Sequence, residues 1–580
     1  MGKPVNTSTY EAAPIDQTVR ELRRTPAQVI NLETLIVCAS ILAISIALYS
    51  PILNAYFLGD DFGSAQLYIN KKLLDWPRLF YSDGSEGMWG FQLNELRPIT
   101  ELSFIWDGFI WKANAMGYHL TNVLFHGFNS ILVLVFFVAR VLVVPNKTMS
   151  AAAGLLFAFH PAHAEAVTWI SGRDDVIATL FFTGTLLSFG LYRSRSCSRY
   201  YFASLALFAA ALFSKEMALS LPIVLLSYDL LLARDFRLSA RRLGRWLPHA
   251  GYVVILAFYL CMRVVAFGSA LRPNETVKAA SFGAFIEMQP GFLLKLLPPL
   301  NLLIDEPMRE WPVVIGAVLL TLTGLMFLRL RRKSDANRLY RAILFFGPVW
   351  YLVSIIPLRA LPRFSGRHSY LPSVGICLAL GALICRIGQK RFLIVTLLLL
   401  LVCYCANLVR NHSVVLNASK LSYGALAKIE VLERETQPGT GLILDVPKTN
   451  DGILVWGWAT PFVLRPPFSS MDMYGHFQVL ESPSTYYRKS WVADKKPVVQ
   501  ALVEWPVESY LIGSDSSDRL VIRRVGKELL KTRLEEFQMS LQDAELDGHL
   551  SYVRTRKLLM HKWRILWESL LEEAPQVTGG

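Results

Sequence analysis

Leu393-Ile394-Val395-Thr396-Leu397-Leu398-Leu399-Leu400-Leu401-Val402 carries one hydroxyl and no charge. A helix at the surface of a soluble protein cannot be apolar all round, because one of its faces meets water. A bilayer core can hold such a helix, and demands roughly 20 apolar residues to cross about 30 Å of hydrocarbon. Outward from these residues the apolar run extends over 391–409, and comparable runs recur along the chain. Of the 580 residues 53% are hydrophobic and 18% charged, where soluble domains carry about 25% charged residues. The fold class is a polytopic α-helical membrane protein.

The net charge of +14 raises the question of nucleic acid. Its distribution answers otherwise. Basic residues crowd the short connectors between apolar runs: Arg193, Arg195 and Arg199; Arg234, Arg237, Arg241, Arg242 and Arg245; Arg329, Arg331, Arg332 and Lys333; Arg386, Lys390 and Arg391. That is the positive-inside pattern, which places these loops in the cytoplasm and leaves membrane lipids, not nucleic acid, as the partner. Cys38, Cys261, Cys377, Cys385, Cys403 and Cys405 lie in or beside apolar runs and Cys197 in a basic connector, so no disulfide or metal framework is read from them.

Residues 1–32 form a polar cytoplasmic tail, and the first run, 34–53, is too long for a signal-peptide core, so it reads as an uncleaved anchor. A large outer loop, 54–118, follows. Further spans are expected at 120–143, 149–168, 174–192, 200–214, 217–233, 247–267, 312–330, 340–358, 369–386 and 391–409. The stretch 281–304 is broken by Pro290, Pro298 and Pro299 and carries Glu287 and Lys295, so it reads as re-entrant. The total is about eleven transmembrane helices, with the C-terminus outside. The transmembrane catalytic domain is 33–410. Residues 411–580 change character: strands at Leu442–Val446, Ile453–Trp456, Tyr510–Ile512 and Leu520–Arg523, then helices over 526–545 and 550–573, predict a small soluble α+β domain.

With this topology the unusual polar residues gather at the outer face. Gly59-Asp60-Asp61 follows the first span, and Asn94-Glu95-Leu96-Arg97-Pro98 lies farther along the same loop. His119, Asn122 and His126 share one helical face by their i, i+3, i+7 spacing. His160-Pro161-Ala162-His163-Ala164-Glu165, Ser171-Gly172-Arg173-Asp174-Asp175, Ser214-Lys215-Glu216, and Arg363, Arg367 and Tyr370 complete the set. Each group has a plain structural reading: a solvated helix cap, interhelical hydrogen bonds, an ion pair, snorkelling arginines. Their coincidence at one membrane depth points to a site, because charge at helix ends in a membrane is costly unless paired or functional. His160 and His163 are spaced to converge on a metal but lack an assured third ligand, and an acidic pair can hold a divalent metal as readily as it can act as a base. No cofactor is certain. A carboxylate pair beside cations suits group transfer from a lipid-linked phosphate: one carboxylate takes the proton of an attacking hydroxyl, and Arg or Lys stabilises the departing phosphate.

At these residues the chain resembles a GT-C-type membrane glycosyltransferase, and most of all the membrane half of the transmembrane O-mannosyltransferases that carry tetratricopeptide repeats. The similar segments are Gly59-Asp60-Asp61 with Ile69-Asn70, Arg97-Pro98-Ile99-Thr100, Gly117 to His126, His160 to Val167, Ser171 to Asp175, Ser214-Lys215-Glu216 and Arg367 to Ser373. The resemblance implies a polyprenyl-phosphate-linked sugar as donor, an inverting transfer on the outer face, and an acidic base in the first outer loop. It carries that role to Asp61 or Asp60, with Asp61 favoured. It gives Arg367 and Tyr370 to the donor phosphate, and His119, His160, Glu165, Arg173 and Lys215 to the lining of the site. Residues 411–580 show no 34-residue repeat, which leaves the sugar and the acceptor (glycan, lipid or protein) open. The short substitute domain fits a bacterial inner-membrane protein with a periplasmic C-terminal domain. The competing readings are a flippase or transporter for a lipid-linked glycan, which would place polar residues at the bilayer midplane, and a non-catalytic envelope assembly protein.

Overall fold

The computed structural model describes residues 32–83, 94–138, 147–232, 244, 246–270, 335–357, 365–385, 390–446, 449–450, 453–481, 508–514, 519–545 and 552–576. The expected re-entrant stretch 281–304, the span 312–330, the tail 1–31 and Arg363 lie outside the described residues. The membrane part runs α1 (Leu32–Tyr49), α2 (Asp60–Ile69), α3 (Pro98–Trp111), α4 (Ala115–Val138), α5 (Lys147–Phe159), α6 (Arg173–Arg195), α7 (Ser198–Leu212), α8 (Leu221–Leu231), α9 (Leu247–Phe267), α10 (Asp335–Ile355), α11 (Tyr370–Ile384) and α12 (Lys390–Glu435). Among the described residues four helical stretches are long and apolar enough to cross a membrane: Leu35–Asn54, Ile170–Arg195, Leu247–Phe267 and Arg391–Glu435.

Two helices differ from expectation for identifiable reasons. The span expected over 149–168 breaks at His160-Pro161. Proline has no N–H to continue the ladder, and the His160 ring accepts the Ala162 N–H at 3.2 Å. The chain then makes a tight turn, Pro161–His163, and a short helix, Ala164–Thr168. The last span does not stop at 409: α12 continues for 46 residues to Glu435 and rises out of the membrane part as a post for the C-terminal domain. Within the bundle, α10 and α11 meet backbone to backbone at Gly347 and Gly375, where a Cβ on either would stand 2.4 Å from the other's carbonyl oxygen. Lipid tails are as apolar as the side chains, so close packing of small residues replaces the hydrophobic drive here.

The C-terminal domain holds β1 (Gly441–Asp445), β2 (Thr449–Asn450), β3 (Ile453–Leu454), β4 (Gln478–Glu481), β5 (Glu508–Ser514), β6 (Leu520–Gly526), α13 (Lys527–Glu545) and α14 (Tyr552–Glu573). Its sheet is ordered β4-β1-β5-β6, with β1 parallel to both neighbours and β6 antiparallel, while β2 and β3 form a separate hairpin. Strand alternation divides the sheet between two cores. Ile443 and Leu511 face Leu530, Leu534, Trp563 and Trp567 of α13 and α14. Leu442, Leu444 and Ile512 face a core shared with Phe57, Phe62, Tyr118 and Ile170 from the membrane part of the chain. One hydrophobic core therefore joins the C-terminal domain to the acidic turn.

Candidate functional site

The chain leaves α1 through a tight turn, Ser50–Asn54, and reaches Gly59 at φ +51, a conformation that favours glycine. Asp60 and Asp61 then open α2, where the free backbone N–H groups of a helix start favour carboxylates. Asp61 is 1% exposed. One of its oxygens accepts the Ser171 N–H and the Ser171 hydroxyl, both at 2.9 Å, and the other accepts the Leu58 N–H at 3.3 Å. Burial pushes its carboxyl up to about 7, against the pull of the Ser171 and Leu58 hydrogen bonds and with a further push from the Asp60 charge. Asp60 is half-buried. The two members of the acidic pair therefore stand in different surroundings. Asp61 is enclosed with both oxygens engaged, whereas Asp60 is half-buried, with its Oδ1 also enclosed.

Ser171 also contacts Ser64 of α2 at 3.1 Å, and it lies in the middle of the turn Ile170–Gly172 that feeds α6. The following residues carry the charges. Arg173 is fully buried and saturated: it donates to Asn122 Oδ1 at 2.6 Å and to the Tyr118 carbonyl at 3.0 Å, pairs with Asp107 at 2.5 Å, and lies 4.4 Å from the Phe104 ring centre. Asp174 receives Arg97 at 2.7 Å and Lys215 at 3.2 Å, and Lys215 also reaches Asp175 at 2.6 Å. Arg97 turns its other edge to Glu216, with Nε at 3.2 Å and Nη2 at 2.8 Å from the same oxygen, and Arg263 stands 3.7 Å from the second Glu216 oxygen. Alternating cations and carboxylates make the burial of so many charges tolerable, since an uncompensated member would cost several kcal/mol.

Arg367 sits on the turn Gly366–Ser369 ahead of α11. Its backbone N–H donates to Glu165 at 3.2 Å, and its guanidinium lies 4.3 Å from the Trp169 ring centre. Its Nε has no hydrogen-bond partner among the described residues. Asp60, Asp61, Arg97, Arg173, Lys215, Glu216, Glu165 and Arg367 are thus linked through the connections before α6, α8 and α11.

The remaining candidates lie in the packed bundle. The Tyr370 hydroxyl is buried between His126 Nδ1 at 2.7 Å and the Asn129 amide at 3.2 Å, and His126 Nε2 meets the Ala158 carbonyl at 3.1 Å. Tyr370, expected at the donor phosphate, is fully buried, and its hydroxyl is engaged between helices. His163 bonds Ser373 at 2.7 Å, and the His160 and His163 rings stack at 5.0 Å. His119 is 1% exposed on the same α4 face as Asn122. Among the described residues no group of three or more His, Cys, Asp or Glu side chains converges as a metal set.

The sequence reading placed Ser171, Asp174 and Asp175 in the outer polar set without giving them a role, and passed over Asp107 and Trp169. A second acidic pair at the start of an apolar span was the available signal for Asp174 and Asp175. Nothing local marks Ser171 as the partner of Asp61, 110 positions earlier.

No family model matches the chain. Protein O-mannosyl-transferase TMTC2 of Homo sapiens is 38% identical over 156 residues, which are 25% of this chain and 18% of that protein. Protein O-mannosyl-transferase Tmtc1 of Drosophila melanogaster is 34% identical over 191 residues, 31% of this chain and 21% of that protein. A longer match, 23% identical over 394 residues, covers 62% of this chain and 54% of protein O-mannosyl-transferase F38B6.6 of Caenorhabditis elegans. The chain therefore spans less than two thirds of the length of each of these curated relatives. Among solved structures, ArnT from Cupriavidus metallidurans bound to undecaprenyl phosphate aligns over 83% of this chain and 93% of its own, with TM-score 0.43 and 13% identity. The archaeal oligosaccharyltransferase AglB from Archaeoglobus fulgidus, in complex with an inhibitory peptide and a dolichol-phosphate, aligns over 83% of this chain and 69% of its own, with TM-score 0.42 and 13% identity.

Proposed function

We propose that the protein is a GT-C-type membrane glycosyltransferase that moves a sugar from a polyprenyl-phosphate donor to an acceptor hydroxyl at the outer face of the membrane. The observation that carries this reading is the physical link between the Asp60–Asp61 carboxylate pair and a cation cluster. Asp60 stands beside Asp61, Asp61 is tied to Ser171, and the residues that follow Ser171 hold Arg97 and Lys215. The similarity to O-mannosyl-transferases supports sugar transfer as the chemistry.

In the reaction the acceptor oxygen attacks the anomeric carbon from the face opposite the phosphate. Asp60 takes the hydroxyl proton, the carbon–oxygen bond to phosphate breaks, and its electron pair leaves on the phosphate oxygen, so the configuration inverts. Arg367, whose Nε is unpartnered among the described residues, is the cation that meets the departing phosphate. Lys215 and Arg97 are already engaged by carboxylates and set the surrounding field. Asp61 holds the turn, and Tyr370, His160 and His163 pack the helices behind it. A divalent metal is not required by this scheme.

The test supplies purified protein in lipid nanodiscs with a panel of polyprenyl-phosphate sugars and acceptors, and follows glycoside formation by mass spectrometry. The expected result is transfer by the wild type and a raised donor KM in Arg367→Ala. Lipid translocation in proteoliposomes with no transfer from any donor would favour the flippase reading instead.

A further inference from the structure

The turn that presents Asp60 and Asp61 is held from two sides. On the bundle side the holder is Ser171. On the other side it is the C-terminal domain together with the extramembrane half of α12. The Gly59 N–H donates to the Val455 carbonyl at 2.6 Å. Leu454 covers the same glycine so closely that a Cβ at Gly59 would stand 2.4 Å from its Cδ2. Just upstream, the Tyr56 N–H donates to Ser419 Oγ at 2.5 Å. The Trp456 indole donates to Ser422 Oγ at 2.9 Å, and that hydroxyl donates to the Phe57 carbonyl at 3.1 Å. Phe468 meets Phe57 and Phe62 edge-on, with ring centres 5.1 and 5.0 Å apart. Every one of these contacts lands between Tyr56 and Phe62.

From this convergence we infer that the hairpin segment Leu454–Trp456 sets the placement of the Asp60–Asp61 turn for chemistry, with Leu454 as its main positioning residue. The inference rests on the transferase reading. Gly59 is the joint of the turn, and a glycine backbone rotates freely unless its surroundings hold it. Leu454 and the Val455 carbonyl are those surroundings. A displacement of about 1 Å between reacting groups can cost on the order of 100-fold in rate, so a cover that fixes Gly59 fixes the base. The C-terminal domain is then part of the catalytic unit, and a shift of that domain is passed directly to Asp60.

Full-length Leu454→Ala and Leu454→Met are compared with wild type in nanodiscs by transfer kinetics and by hydrogen–deuterium exchange. The expected result for Leu454→Ala is a kcat lowered about tenfold or more, a donor KM within about twofold, and faster exchange confined to residues 56–62. Leu454→Met, which refills the space, recovers most of the kcat and the protection. An unchanged kcat in Leu454→Ala overturns the inference. So does exchange that rises equally over 173–195, which marks general loosening of the bundle. If the wild type transfers no sugar from any donor, the transferase reading fails while the exchange pattern still decides the clamp: confinement to 56–62 upholds it and a spread into 173–195 refutes it.

Discussion

Asp61 and Arg173 show how single buried charges are managed at this site. A carboxyl whose folded pKa is about 7, against about 3.9 when unfolded, is protonated in both states at low pH and adds nothing there. Between those values the folded chain keeps a proton that the unfolded chain sheds, so stability falls as pH rises, and above 7 the loss is complete. Asp61→Asn removes this dependence. Thermal unfolding from pH 4 to 8 is expected to decline more steeply for wild type than for the variant, and parallel curves would contradict the assignment. Arg173 presents the opposite case, a cation with every direction filled. Arg173→Ala leaves Asp107 buried without its partner and is expected to cost about 3–5 kcal/mol, measured as a loss of unfolding temperature in nanodiscs. At this scale the sequence was a partial guide. It marked the charged residues, because charge in an apolar chain stands out, but it could not separate Asp60 from Asp61 or free Tyr370 from the bundle. Those distinctions depend on Ser171, His126 and Asn129, whose side chains are common and whose contacts are distant.

Helices and strands were far more legible. Leu247–Phe267 matches the expected span, and α13 and α14 begin within two residues of their expected starts, because apolar runs and amphipathic periods are local signals. β4 was not anticipated: Gln478–Glu481 is short and takes its place only by pairing with β1. The end of the last span misled as well. Beyond 409 the hydropathy drops, yet α12 continues because the C-terminal domain and the segment after α1 pack along it, with Ser419 and Ser422 bonded to Tyr56 and Phe57 just ahead of the acidic turn. Ser422→Ala strands the Trp456 indole N–H and the Phe57 carbonyl. The expected loss is about 1–3 kcal/mol, read from thermal unfolding, with faster exchange at residues 56–62. The α10–α11 contact makes a second prediction. Gly375→Ala puts a methyl against the Gly347 carbonyl and is expected to destabilise by about 1–3 kcal/mol through overpacking. An unfolding temperature equal to wild type would show that the helices separate at no cost.

At the scale of the whole molecule, the fold brings the connection before α6 and one distant hairpin onto a single acidic turn. The class, a polytopic membrane protein with an α+β C-terminal domain, could be read from hydropathy and charge, because the bilayer imposes both. What could not be read was the union of the two parts. The sequence suggested a separate domain after residue 410, whereas one hydrophobic core runs from Ile52 and Phe62 to Leu442 and Trp456. This union gives the proposal its sharpest form: we propose that Asp60 acts as the base and that the rest of the assembly keeps it in place. The most direct measurement is single-turnover sugar transfer from a polyprenyl-phosphate donor by wild type, Asp60→Asn and Asp61→Asn. The expected result is transfer by wild type, a loss of about 100-fold to 10,000-fold in Asp60→Asn, as for removal of a general base, and a smaller loss in Asp61→Asn. Near-wild-type transfer by Asp60→Asn would contradict the account.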